Sequence, residues 1–155
     1  MSKLSLYLAS PMFSQAERQF NREVRDCLSR SFRVFLPQES GVIMSDLLCR
    51  GVSPQDAIQK VFAQDLMAIQ ECDALVIVLD GRSVDEGAAF ELGLGYALKK
   101  VCVGLQTDLR RLAPFGNNPM IDGALEKVFK RVDEVLRWLE RRFAPRIGTS
   151  EIHSF

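Results

Sequence analysis

The sequence lacks several features that mark large classes of protein. Lysine and arginine total 20 against 20 aspartates and glutamates, so the 155-residue chain has no excess charge of either sign. It therefore lacks the net basic charge typical of nucleic-acid-binding proteins. No apolar run approaches the roughly 20 residues that a membrane-spanning helix needs. The length and a hydrophobic content of 47% instead predict one soluble globular domain.

Histidine and paired cysteines are equally scarce. The only histidine is His153, and the four cysteines stand singly, without a CxxC pair, at Cys27, Cys49, Cys72 and Cys102. This spacing argues against a disulfide framework and against a zinc site, so the cysteines are predicted to be small core residues. The N-terminus also shows no charged segment followed by an apolar one, as a secretory signal would. These absences predict a cytoplasmic protein.

Strand-like and helical segments alternate along the chain, and no repeat or flexible linker divides them. Strands are predicted at residues 4–9, 33–36, 74–79, 101–105 and 127–129. Helices are predicted from Ser14, from Ser53, over 86–99 and over 132–143. A long loop is expected over 38–51, with a helical turn at 45–48. The continuous apolar run at 74–79 is typical of a central parallel strand that is covered on both faces.

This order of elements predicts an α/β protein. The expected architecture is a three-layer sandwich with a mostly parallel five-stranded sheet, flavodoxin-like or Rossmann-like in type. Residues 1–147 are expected to form a single domain, and residues 148–155 a polar tail without assigned function. Ligands of such sheets bind at the carboxyl ends of the strands, where the strand order reverses. The candidate functional residues are therefore those that follow each strand.

A carboxylate interrupts the apolar stripe of the helix that starts at Ser53. Asp65 lies four residues after Val61 and four before Ile69, on a stripe completed by Ile58, Phe62 and Leu66. A partly solvated stripe edge, or a backbone N–H that satisfies the carboxylate, is one explanation. A functional role is the other, because burial of an unpaired carboxylate is costly.

The segment that follows the central strand is rich in carboxylates and glycines. Asp85 stands where a helix cap is expected, and capping alone would explain it. Glu91 lies three residues after Ala88 and four before Gly95, on a face of small residues that leaves its carboxylate uncovered. Six helical residues turn through about 600°, so Asp85 and Glu91 converge only if Asp85 precedes the helix.

Three carboxylates without a cysteine, histidine or lysine partner indicate chemistry that carboxylates perform alone. Asp65, Asp85 and Glu91 suit glycosyl transfer, in which one carboxylate attacks an anomeric carbon and a second group handles the proton of the leaving group. The same trio can instead hold Mg²⁺, which prefers oxygen ligands. Composition alone does not separate the two.

Four blocks of the chain, in order, resemble the nucleoside 2-deoxyribosyltransferase family. The blocks are residues 6–11 with Phe13, residues 65–66 with 72–76, residues 85–93 and residues 118–121. The most specific is the D-x-G-x-A-F-E-x-G pattern of residues 85–93, placed directly after a buried strand. The resemblance implies transfer of 2-deoxyribose between nucleobases, with deoxynucleosides and nucleobases as small-molecule partners and with neither a metal nor an organic cofactor.

The resemblance also implies a role for each matching residue. Glu91 would be the nucleophile that forms a covalent deoxyribosyl-enzyme intermediate, and Tyr7 would hydrogen-bond and orient it. Asp85 and Asp65 would contact the nucleobase and manage its proton.

Further matching residues are expected to bind the substrate. Phe13 would lie over the base or sugar, and Asn118 would bind a sugar hydroxyl in a site shared with a neighbouring subunit. Ser10, Gly87 and Met120 are expected in the same binding region. A homo-oligomer, a dimer or a larger particle up to a hexamer, is therefore expected, and apolar residues around the third long helix suggest the same.

Two other functions stay open at this stage. One is that of a 2-deoxynucleoside 5-monophosphate N-hydrolase, in which water replaces the acceptor base. Its phosphate would need hydroxyl and basic groups, some of which Ser10, Ser14, Arg18 and Ser83 can supply. The other is a catalytically silent nucleotide-binding sensor, which the intact candidates for nucleophile, orienting group and base contacts argue against.

Overall fold

The structure, a computed structural model, describes residues 3–108, 110 and 116–144. The strands are β1 (Ser5–Ala9), β2 (Arg33–Phe35), β3 (Ala74–Val78), β4 (Val101–Leu105) and β5 (Lys127–Phe129). The helices are α1 (Gln15–Leu28), α2 (Pro37–Ser40), α3 (Met44–Cys49), α4 (Pro54–Glu71), α5 (Glu86–Ala97), α6 (Pro119–Ala124) and α7 (Val132–Arg142). The proposed domain end at residue 147 and the tail 148–155 lie outside the described residues.

The five strands form one sheet in the order β2-β1-β3-β4-β5, and every neighbouring pair is parallel. The predicted α/β class with a mostly parallel five-stranded sheet is confirmed. The chain crosses from β1 outward to β2 and then returns to place β3 on the other side of β1. The carboxyl ends of β1 and β3 therefore flank the point where strand order reverses, which is where such sheets bind ligands.

Alternating side chains of the strands supply two separate cores, one on each face of the sheet. Leu6 and Leu8 of β1 join the core that α1 and α7 cover. Tyr7 and Ala9 point to the opposite face, into the core shared with α4 and α5. This alternation makes the three layers, and it directs the side chain of Tyr7 towards α5.

The starts of the long helices agree with their sequence signals. The capping box of α1 is present: the Ser14 hydroxyl accepts from the Glu17 N–H, and the Glu17 carboxylate accepts from the Ser14 N–H. Ser53 caps α4, whose first residue is Pro54. These caps fix the ends of helices beside the carboxyl edge of the sheet.

The prediction of a long loop over residues 38–51 is wrong in that two helices lie in this region, although α3 includes the helical turn expected at residues 45–48. This region contains α2 and α3, and α3 packs on α4 with Leu47 buried. Neither helix has a side-chain cap, and each is at most six residues long. Such short helices depend on tertiary packing, which periodicity does not reveal.

The cysteine prediction is confirmed only in part. Cys72 and Cys102 are buried, and Cys27 is half-buried against the core of α1 and α7. Cys49 is exposed, because it lies at the solvent-facing end of α3, so its assignment to the core is wrong. Within the residues described, no helix is long and apolar enough to cross a bilayer.

Candidate active site

A buried tyrosine and a glutamate form the centre of the candidate site. The Tyr7 O–H donates a hydrogen bond to Oε1 of Glu91 over 2.7 Å. Tyr7 is fully buried, and its ring stacks on that of Phe35 with 5.5 Å between centroids. Because Phe35 is also the register partner of Tyr7 across β1 and β2, strand pairing itself fixes the direction of the hydroxyl. The Glu91 carboxylate is thus held in one orientation.

The surroundings of Glu91 disfavour its charged form. Burial is the main cause that raises the pKa of its carboxyl from 4.5 to about 8. The Tyr7 hydrogen bond opposes this rise, and the nearby charges of Asp65 and Asp85 contribute to it. A carboxylate that is desolvated and close to other negative charges is a strong nucleophile once it is ionised. The same electrostatic contacts show that the three carboxylates of the sequence prediction lie near one another.

Asp85 stands immediately before α5. The sequence requires this position if Asp85 is to approach Glu91, because the two side chains would point in different directions if both lay within the helix. Its Oδ2 accepts a hydrogen bond from the Ala88 N–H over 2.9 Å, so Asp85 caps the helix. Gly87 lies against the same carboxylate, since a Cβ on it would stand 3.1 Å from Asp85 Oδ2. Any larger residue at position 87 would therefore crowd the Asp85 carboxylate.

Asp65 of α4 is a half-buried carboxylate held by packing alone. Burial raises its pKa to about 6, and no hydrogen bond or cation among the described residues opposes that rise. The apolar stripe predicted around it is only partly present: Ile69 is buried, whereas Ile58 and Phe62 are 59% and 52% exposed. The stripe prediction is wrong for Ile58 and Phe62, because their part of α4 projects into solvent, where Phe62 contacts Phe90 of α5.

The loop that follows β1 carries two of the predicted binding residues. Ser10 is half-buried directly after the strand, and Phe13 is 76% exposed just before the cap of α1. Both lie at the carboxyl edge of the sheet, next to the strand that carries Tyr7. An exposed phenylalanine ring there is available for stacking on a planar ligand.

Asn118 and Met120 lie in a different place from the carboxylates. They line a groove of about 800 Å³ between α5, α6 and the ends of β3 and β4. Tyr7, Asp65 and Glu91 are not part of its wall, so within one chain the structure does not bring Asn118 to the nucleophile candidate. Asn118 caps α6 by accepting from the Met120 N–H, and the Met120 side chain is 82% exposed. The carboxylates form the candidate active site, because the titratable groups with shifted pKa values are there.

Sequence reasoning missed two residues that shape this region. Phe35, which stacks on Tyr7, has no signal in the sequence, because the contact depends on strand register. Asn21 is fully buried and donates a hydrogen bond to the Pro11 carbonyl of the loop after β1. The sequence did contain a signal for Asn21. It precedes Val24 by three residues and Leu28 by seven, and this helical spacing places a polar side chain on the buried stripe of α1.

Comparisons with known proteins place the chain among proteins of similar fold. A family model described as nucleoside 2-deoxyribosyltransferase matches residues 6–136. A 2-deoxyribosyltransferase from Bacillus psychrosaccharolyticus has a similar structure, with 24% identity, a TM-score of 0.67, and coverage of 85% of this chain and 90% of that one. No curated protein sequence matches significantly.

Two further solved structures share the fold at lower identity. A 2-deoxyribosyltransferase from Leishmania mexicana is 21% identical, with a TM-score of 0.63 over 91% of this chain and 99% of that one. A CMP N-glycosidase from Clostridium botulinum is 18% identical, with a TM-score of 0.52 over 88% of this chain and 98% of that one. At these identities the structural matches establish the fold.

Proposed function

Because the chain belongs to the nucleoside 2-deoxyribosyltransferase family, we propose that it transfers 2-deoxyribose between nucleobases through a covalent intermediate on Glu91. One observation carries the proposal: the buried Tyr7 hydroxyl holds the Glu91 carboxylate beside two further carboxylates at the strand-order switch point. This arrangement supplies a nucleophile, an orienting donor and groups that exchange protons.

The reaction then runs in two displacements at the anomeric carbon. The Glu91 carboxylate attacks C1′, the N-glycosidic bond breaks, and its electron pair leaves with the base. Asp65, whose pKa of about 6 keeps part of its population protonated near neutral pH, supplies the proton that the departing base takes up. An acceptor base then attacks C1′, the ester bond breaks, and the Glu91 carboxylate is regenerated. The acceptor base gives up its N–H proton to Asp65, which restores the proton donor for the next cycle.

The structure favours a nucleoside over a nucleoside monophosphate as the substrate. One of the four candidate phosphate ligands is already engaged, because Arg18 donates to the carbonyls of Met12 and Phe13. Another, Ser83, lies in the separate groove with Asn118. The hydrolase alternative therefore has few free phosphate ligands beside Glu91.

A direct assay separates transfer from hydrolysis. The enzyme is incubated with deoxyinosine and adenine, and in parallel with a deoxynucleoside monophosphate alone. We expect deoxyadenosine in the first reaction and no release of base in the second. Release of free base from the monophosphate, without a new nucleoside in the first reaction, would replace the transferase with the hydrolase. Inactivity in both would leave the sensor function.

Replacement of Asp65 with asparagine is expected to lower the pH at which activity appears. The charge of Asp65 raises the pKa of Glu91, so its removal lets Glu91 ionise at lower pH. The rising limb of kcat/KM with pH should shift downward, while kcat falls because a proton donor is lost. Activity is measured across pH 5 to 9, a range chosen to include the approximate pKa values of 6 and 8. An unchanged midpoint of the rising limb of kcat/KM with pH, together with a large fall in Tm, would assign Asp65 a structural role.

The separation of Asn118 from Glu91 supports a shared active site. Asn118 is exposed and Met120 is 82% exposed, so both can reach a second subunit. Apolar side chains on the outer faces of α4 and α5 are also exposed, including Phe62, Phe90 and Tyr96. We therefore propose a homo-oligomer in which Asn118 and Met120 of one subunit complete the site of another.

Light scattering tests this assembly. At micromolar concentration the active enzyme should have a mass that is a multiple of the 17.5 kDa chain. A monomer with full activity would contradict the shared site.

A further inference from the structure

Asn21 is a fully buried polar residue that the proposed reaction does not use. It lies on the core-facing stripe of α1 with Val24 and Leu28. Its Nδ2 donates to the Pro11 carbonyl over 2.8 Å and to Oε1 of Gln38 over 2.9 Å, and its Oδ1 has no partner among the residues that the structure describes. A buried oxygen without a partner destabilises the fold, and an apolar side chain would avoid that loss. The amide therefore contributes something other than core packing.

The orientation of this amide is fixed by its neighbours. Gln38 donates through its own Nε2 to the Arg18 carbonyl over 2.9 Å, so its oxygen faces Asn21. The second acceptor, the Pro11 carbonyl, cannot act as a donor. Asn21 must then present its nitrogen to both groups, and one nitrogen with two N–H bonds satisfies both. Aspartate has no donor there when ionised, and serine has only one.

Asn21 joins two segments that are separate in sequence and adjacent at the carboxyl edge of the sheet. Pro11 follows β1, whose Tyr7 contacts Glu91, and Gln38 lies in α2 directly after β2. The strands β1 and β2 are neighbours in the sheet. The hydrogen bonds of Asn21 therefore connect the loop that follows β1 to the helix that follows β2. Both lie at the carboxyl edge of the sheet, where Asp85 also lies.

Other side chains of α1 hold the rest of the loop. Arg18 donates to the carbonyls of Met12 and Phe13, and the Glu17 carboxylate accepts from the N–H groups of Phe13 and Ser14. The loop backbone is thus held at each residue from Pro11 to Ser14, while the Phe13 side chain remains 76% exposed. Asn21 provides the one buried contact of this set, so solvent competes with it least.

We propose that Asn21 is a positioning residue that ties the loop after β1 to α2 and thereby fixes Phe13 for contact with the substrate. The inference rests on the proposed function for the identity of that substrate, a deoxynucleoside. Fixing the backbone in advance removes the entropy loss of ordering the loop when the ligand binds. Loss of Asn21 should therefore weaken binding more than it slows the chemical step.

The first experiment does not depend on activity. Hydrogen–deuterium exchange of the peptide that contains Phe13 and Ser14 is compared in the wild type, Asn21→Leu and Val24→Ala. Val24 is a matched control because it is buried on the same helix and makes no contact with the loop through hydrogen bonds. We expect exchange at these amides to accelerate by about tenfold or more in Asn21→Leu only. Equal exchange in Asn21→Leu and the wild type would overturn the proposal.

A second variant keeps the test valid if Asn21→Leu does not fold. Gln38→Ala removes one of the two acceptors from a half-buried site outside the core, and it should accelerate exchange to an intermediate extent. Unchanged exchange in a folded Gln38→Ala protein would contradict the tie between the loop and α2.

The second experiment measures kinetics in a double-mutant cycle with Phe13→Ala. We expect Asn21→Leu to raise KM by about fivefold to tenfold with little change in kcat, and to have almost no further effect when Phe13 is already alanine. Additive effects of the two substitutions would show that Asn21 acts elsewhere. If deoxyribosyl transfer is absent altogether, the proposed function fails, while the exchange result still decides the role of Asn21.

Discussion

Replacement of Glu91 with glutamine is expected to reduce turnover by on the order of 10³-fold or more. Both displacements need a carboxylate at this position, first as the nucleophile and then as the leaving group. Glutamine keeps the size of the side chain and an oxygen that can accept the Tyr7 hydrogen bond, so the fold should persist. Turnover is measured at equal concentrations of folded protein, with circular dichroism as the check on folding.

The same substitution should change how stability depends on pH. The folded-state pKa of Glu91 is about 8 and its usual value is 4.5. Between these values the folded protein retains a proton that the unfolded chain has lost, so the contribution of Glu91 to the free energy of unfolding falls as pH rises through that window. Glu91→Gln removes this dependence. The difference in Tm, variant minus wild type, should therefore increase as pH rises from 5 to 8, a range that lies within the window.

Glu86 provides the matched control for this prediction. It lies in the first turn of α5, and its side chain is exposed. Glu86→Gln should retain turnover close to that of the wild type. Mass spectrometry of the wild type with a deoxynucleoside alone should show a deoxyribosyl group on the peptide that contains Glu91. Retention of more than about a tenth of turnover in Glu91→Gln would refute its role as the nucleophile.

Replacement of Tyr7 with phenylalanine is expected to lower kcat/KM near pH 7 by about 10²-fold. The hydroxyl is the hydrogen-bond donor that opposes the rise of the Glu91 pKa. Without it the carboxyl ionises at higher pH, and the carboxylate loses its fixed orientation. The rising limb of kcat/KM with pH should shift upward, opposite to the shift expected for Asp65→Asn. The measurement is a pH profile of initial rates.

The other tyrosine of the sequence serves as the control. Tyr96 lies on α5, and its side chain is 61% exposed. Tyr96→Phe should leave the pH profile unchanged. A Tyr7→Phe enzyme with an unchanged profile and kcat/KM within about threefold of the wild type would show that the hydrogen bond has no catalytic role.

Much of the architecture could be predicted from local sequence patterns. The bounds of β4 and β5 agree with the predicted residues, because short apolar runs between turns mark strands. The prediction that Asp85 precedes α5 was equally local, since a cap is defined by its own helix. By contrast, α2 and α3 lack side-chain caps and depend on neighbours that are distant in the sequence. Their stabilising contacts are tertiary and leave no periodic signal.

The candidate site shows the same division. Glu91 could be identified from the small residues around it, but its raised pKa depends on burial, which only the fold provides. The stacking of Phe35 on Tyr7 requires the register of β1 against β2. The distance between Asn118 and the carboxylates likewise follows from the position of α6 beyond β4, on the other side of α5. Sequence patterns therefore could not predict those features of the candidate site that depend on contacts between segments remote in the chain.

The stacking of Tyr7 on Phe35 also links catalysis to the thermal behaviour of the sheet edge. β2 is three residues long, ends at Phe35 and pairs with β1 alone. Short edge strands open locally at lower free energy than central strands do. Opening of β2 removes the ring that supports Tyr7, and so it releases Glu91, the proposed nucleophile, before the chain unfolds. On warming, the enzyme should therefore lose activity reversibly at temperatures below its melting transition, and substitutions that strengthen this edge should raise its working temperature without altering any residue that touches the substrate.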